Sequence, residues 1–192
     1  MKVLVLLAKG FEAMEASAFT DVLGWAKTDY GCDVSVCTAG LTETVCGSFG
    51  VKAVADKLLD DIDANEYDAL AIPGGFEVFG FYEDVFDERV SALIKSFHTA
   101  KKPIASICVG ALALANAGIL TGKRATTYHL QGGLRQKQLA QYGVTVVNEP
   151  IVVTENIITS YCPQTAPLVA FELLGMLAGK EIMNTVKNAM GY

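Results

Sequence analysis

The sequence has no uncharged apolar run that approaches the roughly 20 residues needed to cross a bilayer as a helix. Its first apolar stretch, residues 3–8, ends at Lys9 and is too short for the core of a secretory signal peptide. We therefore expect no membrane partner and interpret residues 3–8 as a β-strand. Because 52% of the residues are hydrophobic, we expect the apolar side chains to fill a core or a subunit interface.

The sequence also lacks the cysteine pattern of a disulfide framework or a zinc site. Its cysteines are odd in number, and no two are arranged as C-x-x-C. We therefore expect no metal and a reducing, cytoplasmic location. The five cysteines are Cys32, Cys37, Cys46, Cys108 and Cys162.

Positive charge is scarce as well. The formal net charge is -6, and the densest basic stretch, residues 124–137, is only moderately charged. Because duplex binding needs a basic face that replaces counterions, we predict no nucleic-acid partner.

Nothing divides the chain, since it has no repeat, low-complexity tract or linker, and its 192 residues suit a single domain over 1–192. Continuous apolar runs, each followed by turn residues and helical periodicity, are typical of buried parallel strands. These patterns predict an α/β fold with a doubly wound, mostly parallel sheet sandwiched by helices. The runs are residues 3–8, 34–37, 69–72 and 104–107.

The C-terminal part has shorter apolar segments. Residues 144–147, 151–154 and 156–160 are spaced like short strands joined by turns, and we interpret them as partly antiparallel additions at the sheet edge. Residues 164–179 have the periodicity of a long amphipathic helix, and a further helix is expected to close the chain.

Cys108 lies where the apolar run 104–107 ends and a small-residue helix begins. This elbow holds the sulfur at the carboxyl edge of the sheet, facing the free N–H groups of the next helix, which favour an anion. A thiolate would be stabilised there. The alternative is that Cys108 packs as a small inert hydrophobic residue, as most free cysteines do.

Glu15 falls in the middle of the apolar face when the first helix is drawn at 100° per residue. A carboxyl on a core-facing stripe must be paired, protonated or exposed to a polar cavity. Glu12 lies nearer the edge of this stripe, where a first-turn acid that complements the helix dipole explains it. Glu15 and Cys108 both follow strands at the same sheet edge, so we expect a raised pKa for Glu15 and a lowered pKa for the thiol.

Residues 68–76 form an apolar strand that ends in Pro73-Gly74-Gly75. Paired glycines let the backbone pass close to another group, although a simple tight turn explains most such pairs. Beside a nucleophile, the backbone N–H groups of Gly75 and Val109 would form an oxyanion hole.

Four of these segments together resemble the ThiJ/PfpI superfamily, and within it the Parkinson-associated deglycase (glyoxalase III-like) branch. The match spans nearly the whole chain in order. The segments are residues 9–15, 67–75, 106–110 and 158–160 ahead of Pro163.

The resemblance implies a flavodoxin-like, class I glutamine amidotransferase-like fold and a homodimer. It implies that Cys108 is the nucleophile, that Glu15 is its hydrogen-bonded acid, and that Gly75 and Val109 supply oxyanion donors. It further implies a cofactor-free enzyme that acts on small 2-oxoaldehydes or their adducts.

Some family features are absent from the sequence. Val109 stands where protease-like branches have a histidine after the cysteine, which argues against a Cys-His protease dyad. Trp25 and Phe49 occupy neighbourhoods in which some members have anion-binding arginines. No glycine-rich phosphate cradle supports the thiazole-phosphate role named in older family labels.

The residue after the Thr126-Thr127 pair is also different, because Tyr128 replaces the histidine often found there and His129 comes one place later. Neighbouring residues of an extended segment point to opposite sides, so we predict Tyr128 in the pocket. His129 would reach the site only if the segment bulges, and is otherwise a surface or interface histidine. His98 is interpreted as a partner of a helix C-terminus.

Three functions remain, in order of preference. The first is an enzyme that converts 2-oxoaldehydes, with Cys108 and Glu15 as nucleophile and acid/base and Tyr128 and His129 nearby. The second is an oxidative-stress sensor or chaperone-like protein that uses oxidation of Cys108 without turnover. The third is a protein that keeps the fold without the chemistry.

Overall fold

The structure is a computed structural model that describes all 192 residues. Strands and helices alternate through most of the chain. The elements are β1 (Lys2–Leu7), α1 (Ala13–Tyr30), β2 (Ser35–Gly40), β3 (Thr44–Cys46), β4 (Lys52–Val54), β5 (Lys57–Leu58), β6 (Ala69–Ile72), α2 (Phe81–Val85), α3 (Glu88–Thr99), β7 (Ile104–Ser106), α4 (Gly110–Asn116), β8 (Arg124–Ala125), α5 (Leu134–Gln141), β9 (Thr145–Val146), β10 (Ile151–Thr154), β11 (Ile157–Ser160), α6 (Ala166–Ala178) and α7 (Lys180–Ala189).

Seven strands form the central sheet in the order β10-β11-β7-β6-β1-β2-β5. All neighbouring pairs are parallel except β10 and β11, which are antiparallel. The predicted α/β fold with a mostly parallel sheet flanked by helices is therefore confirmed. The strands expected from the four long apolar runs all lie in this sheet.

One predicted edge strand is not part of the central sheet. β9 pairs in parallel with β8 in a separate two-stranded sheet, whereas β10 and β11 extend the main sheet as expected. β9 contains only two residues and neither is fully buried, so its apolar character does not require a place against the core. β3 and β4, which form a small antiparallel pair, were not predicted.

The core is a contiguous cluster of 53 buried residues that includes nearly all of β1 and β6. Helices α1, α6 and α7 pack together, and α3 packs with α4. No helix is both long and apolar enough to cross a membrane.

The face predicted for the first helix is the buried one. Glu15 on this face is fully buried, whereas Ser17, Thr20 and Lys27 on the opposite face are exposed. The apolar residues that share the face with Glu15 are also buried; they are Phe11, Ala18, Phe19, Val22 and Ala26.

Candidate active site

Four neighbouring parallel strands of the sheet each lead into a residue of the candidate site. In spatial order, β11 is followed by Cys162, β7 by Cys108, β6 by the Gly74-Gly75 turn, and β1 by α1 with Glu15. The carboxyl ends of parallel strands share one edge of a sheet, which is where ligands bind in folds of this kind. The topology thus brings together residues that are far apart in the sequence.

Cys108 occupies a strained turn between β7 and α4. Its φ is +54°, in the left-handed region that residues other than glycine rarely adopt. The turn is held on one side by Thr127, whose hydroxyl donates to the Cys108 carbonyl over 2.8 Å. The side chain is buried but borders a cavity. Such strain is maintained by surrounding contacts and is frequent at functional sites.

Glu15 reaches the same point from α1. Its Oε2 accepts a hydrogen bond from the Gly74 backbone N–H over 2.5 Å, whereas its buried Oε1 has no hydrogen-bond partner. A Cβ placed on Gly74 would lie 2.8 Å from Glu15 Oε2 and 3.0 Å from Cys108 Cβ. The carboxyl group and the cysteine side chain therefore lie side by side, with space between them only because residue 74 is glycine.

Burial raises the pKa of Glu15 to about 8, although the hydrogen bond from Gly74 opposes the shift. The direction agrees with the sequence-based expectation. At neutral pH the carboxyl group is therefore largely protonated, and Oε1 can carry a proton for the neighbouring sulfur.

The pKa of the Cys108 thiol differs from the sequence-based expectation, which was a lowered value. Burial raises this pKa well above its ordinary value, the charge of an ionised Glu15 raises it further, and a hydrogen bond from the Val109 backbone N–H only partly opposes these effects. The expectation was wrong because the elbow is more deeply desolvated than its position at a sheet edge suggested. The two groups act as one coupled pair that shares protons, rather than as a free thiolate beside an acid.

Two backbone N–H groups lie beside the sulfur. Those of Gly75 and Val109 donate to no protein oxygen, and the Val109 N–H is directed at the Cys108 sulfur itself. Gly75 allows a very close approach of two backbone segments, since a Cβ there would lie 2.4 Å from the Gly10 carbonyl oxygen. Both groups border the cavity, as an oxyanion hole requires.

A cavity of about 590 Å³ opens above Glu15 and Cys108. Tyr128 and His129 both line it, although His129 was expected to reach the site only if the segment bulges. The segment after β8 has no regular strand conformation, so strict alternation of its side chains does not apply. Burial raises the pKa of the Tyr128 hydroxyl, which therefore stays a hydrogen-bond donor at neutral pH.

Sequence reasoning missed several residues of the cavity wall. Arg135 on α5 pairs with Glu77, with 2.6 Å between Nη2 and Oε2, and Cys162 Sγ lies 3.4 Å from His129 Nδ1. The partners in these pairs are 58 and 33 residues apart, and no local pattern indicates them. Glu12 also lines the cavity, and burial raises its pKa.

Two other sequence observations lie away from the cavity. Neither Trp25 nor Phe49 lines it, so neither replaces an anion-binding arginine there. His98 lies in the last turn of α3, as interpreted. No group of three or more His, Cys, Asp or Glu side chains is arranged to hold a metal ion.

Comparison with known proteins assigns the chain to a family. Residues 1–176 match the sequence pattern of the DJ-1/PfpI family. The chain belongs to the DJ-1/PfpI family. The structure is similar to the crystal structure of Drosophila melanogaster DJ-1beta, with a TM-score of 0.86 and 30% identity, covering 98% of this chain and 96% of the other.

Two relatives extend the DJ-1/PfpI comparison to bacteria and plants. The chain is 32% identical to General stress protein 18 of Bacillus subtilis over 92% of its own length and 97% of the relative. It is 33% identical to Protein DJ-1 homolog B of Arabidopsis thaliana over 94% of its length, which is 39% of that longer protein.

Proposed function

We propose that this protein is a cysteine-dependent, cofactor-free enzyme that acts on small 2-oxoaldehydes or their adducts, in the manner of a glyoxalase III or deglycase. The observation that supports this proposal most directly is the buried Glu15 carboxyl beside Cys108, below a cavity of about 590 Å³. A nucleophile with an adjacent acid/base and neighbouring backbone N–H donors is suited to addition to a carbonyl group.

In the first step, Cys108 sulfur forms a bond to the aldehyde carbon and the carbonyl π electrons move to oxygen. The N–H groups of Gly75 and Val109 hold this oxygen while a proton from the Glu15 pair completes a hemithioacetal. The raised thiol pKa is compatible with this step, because the thiol proton is transferred within the pair as the new bond forms.

Glu15 then releases its remaining proton to solvent. In the second step, the Glu15 carboxylate removes the proton from the hemithioacetal carbon and delivers it to the neighbouring carbon, while the hemithioacetal hydroxyl proton moves to the ketone oxygen. The former aldehyde carbon becomes a thioester and the ketone becomes an alcohol, so oxidation and reduction balance within the substrate. Water then cleaves the thioester to a 2-hydroxy acid and regenerates Cys108. No external oxidant or reductant is required.

The test is turnover of methylglyoxal to lactate by purified protein without glutathione. We expect Cys108→Ala to abolish turnover and Glu15→Gln to reduce it by about 100-fold or more, since it removes the acid/base. Cys46→Ala, which removes an exposed thiol, is the matched control and should retain activity. Full activity in Cys108→Ala would remove this mechanism.

The second candidate is an oxidative-stress sensor in which Cys108 is oxidised without turnover. It is supported by the solvent-facing cavity at a strained cysteine and by the similarity to a bacterial protein named for general stress. Selective oxidation of Cys108 by mild peroxide, together with no consumption of aldehyde, would favour this candidate over the enzyme.

We also propose that the protein acts as a homodimer in a reducing, cytoplasmic compartment. The five free cysteines suit such a compartment.

A further inference from the structure

A second cysteine borders the cavity beside Cys108. Thr159 of β11 and Ser106 of β7 are register partners on adjacent parallel strands, whose backbones are about 4.8 Å apart. Cys108 follows Ser106 by two residues, and Cys162 follows Thr159 by three. Both side chains line the cavity and both are free thiols. The two segments thus leave the sheet as neighbours, and each brings its cysteine to the wall of the same cavity.

Cys162 has a potential proton acceptor of its own. Its sulfur lies 3.4 Å from Nδ1 of His129, and the His129 ring is held against Tyr161 with 4.0 Å between ring centroids. In the tautomer with hydrogen on Nε2, Nδ1 accepts the thiol proton. The cavity therefore contains two nucleophiles with different partners, since Cys108 is paired with Glu15 and Cys162 with His129.

We propose that Cys162 is a resolving thiol for Cys108, so that a peroxide converts the two cysteines into an intramolecular disulfide. In the first step, Cys108 sulfur takes one oxygen from the peroxide and the O–O bond breaks. This gives a cysteine sulfenic acid and releases water or an alcohol. In the second step, Cys162 sulfur transfers its proton to His129 and attacks Cys108 sulfur. The S–S bond forms and the S–O bond breaks, and hydroxide leaves as water after it takes the proton from His129.

The other cysteines are not placed for this step, since none lines the cavity. Cys37 is buried with its sulfur 3.3 Å from the Tyr67 hydroxyl, and Cys46 is exposed on β3. The disulfide would protect Cys108 from further oxidation to sulfinate and would block the site reversibly. This inference uses the same nucleophile as the proposed function but does not need aldehyde turnover.

The test is non-reducing mass spectrometry of the reduced protein after treatment with a small molar excess of hydrogen peroxide, because oxidation of one cysteine to sulfinate consumes two peroxide molecules. We expect the wild-type monomer to lose the mass of two hydrogens, and a proteolytic fragment to join the peptides of Cys108 and Cys162. In Cys162→Ser and in Cys162→Ala the linked fragment should be lost, and Cys108 should accumulate as sulfinate. His129→Gln should slow linkage by roughly tenfold or more, because the base is missing.

Cys46→Ser is the control and should form the linked fragment at the wild-type rate. Absence of the linked fragment in wild-type protein, with Cys108 sulfinate forming as fast as in Cys162→Ser, would overturn the proposal. Methylglyoxal turnover under reductant is measured separately. A failure of this inference is thus distinguishable from a failure of the proposed function.

Discussion

Glu15 makes the stability of the fold depend on pH. Burial raises its pKa from 4.5 to about 8, so between these values the folded chain holds a proton that the unfolded chain releases. The free energy of unfolding should therefore decrease as pH rises from 4.5 to about 8, with this group contributing up to about 1.4 kcal/mol per pH unit.

Chemical denaturation at a series of pH values measures this dependence. Glu15→Gln should remove that part of the slope, because the amide does not titrate. Glu172→Gln, which changes an exposed glutamate on α6, is the control and should keep the slope. Equal slopes in wild type and Glu15→Gln would show that the carboxyl group is not held protonated by the fold.

Gly74 is the residue that lets the carboxyl and the thiol meet. A Cβ there would lie 2.8 Å from both Glu15 Oε2 and the Ile107 carbonyl oxygen. We expect Gly74→Ala to displace the Glu15–Cys108 pair and to reduce methylglyoxal turnover by at least tenfold, with a loss of stability of about 1–3 kcal/mol from overpacking.

Turnover and thermal unfolding should be measured together for Gly74→Ala. Gly24→Ala is a matched control on α1, since a Cβ there has no neighbour within 4 Å, and it should be neutral or slightly stabilising. Wild-type turnover in Gly74→Ala would contradict the close approach that the structure shows.

At the scale of secondary structure, Arg135 joins α5 to the turn after β6. Its guanidinium lies 2.6 Å from Glu77 and 5.1 Å from the centre of the Tyr82 ring. Arg135→Gln should therefore raise the hydrogen-exchange rate of the Gly80 and Phe81 amides, which donate to the carbonyl groups of Glu77 and Phe76 and close this turn. Because Glu77 is largely exposed, global stability should change by less than about 1 kcal/mol.

Arg124→Gln breaks a different surface ion pair, to Glu149, and serves as the comparison. It should leave exchange at Gly80 and Phe81 unchanged. If Arg135→Gln also leaves it unchanged, the turn is held by its backbone hydrogen bonds alone.

The elements that sequence predicted are those whose pattern is set by burial. β6 and β7 are continuous apolar runs because both faces of each strand are covered. Glu15 could be singled out because a helix fixes which residues share a face. β3, β4 and β8 are short and partly exposed, so no hydrophobic pattern marks them.

The candidate site was only partly predictable, because some of its residues are placed by the sheet and others by irregular segments. The order of strands brings Cys108 and Glu15 to one edge, and this order follows from general rules for parallel sheets. The pairing of Cys162 with His129 depends instead on the path of an irregular segment after β8. The raised thiol pKa depends on how much protein covers the sulfur, which periodicity does not report.

At the scale of the whole molecule, an exposed aromatic cluster marks the surface that we propose for the dimer. The rings of Phe49, Phe76 and Phe79 lie 4.9–6.1 Å apart, and Phe49 is 69% exposed. Val78 beside them is also exposed. Contiguous apolar surface of this kind is typical of protein interfaces, and the cluster adjoins the cavity through Phe76.

The net charge of -6 opposes nonspecific association of two copies, so a dimer requires a defined apolar contact. Light scattering after size-exclusion chromatography should give twice the monomer mass for the wild type. Phe49→Glu should give the monomer mass, because it would bury a charge in the interface. Val153→Glu adds the same charge at an exposed apolar position on β10 and should remain dimeric. A monomeric wild type, or a dimeric Phe49→Glu, would exclude the aromatic cluster as the dimer surface.

Dimerisation through this cluster would also fix the Phe76 side of the cavity, so Phe49→Glu should raise the KM for methylglyoxal more than it lowers kcat.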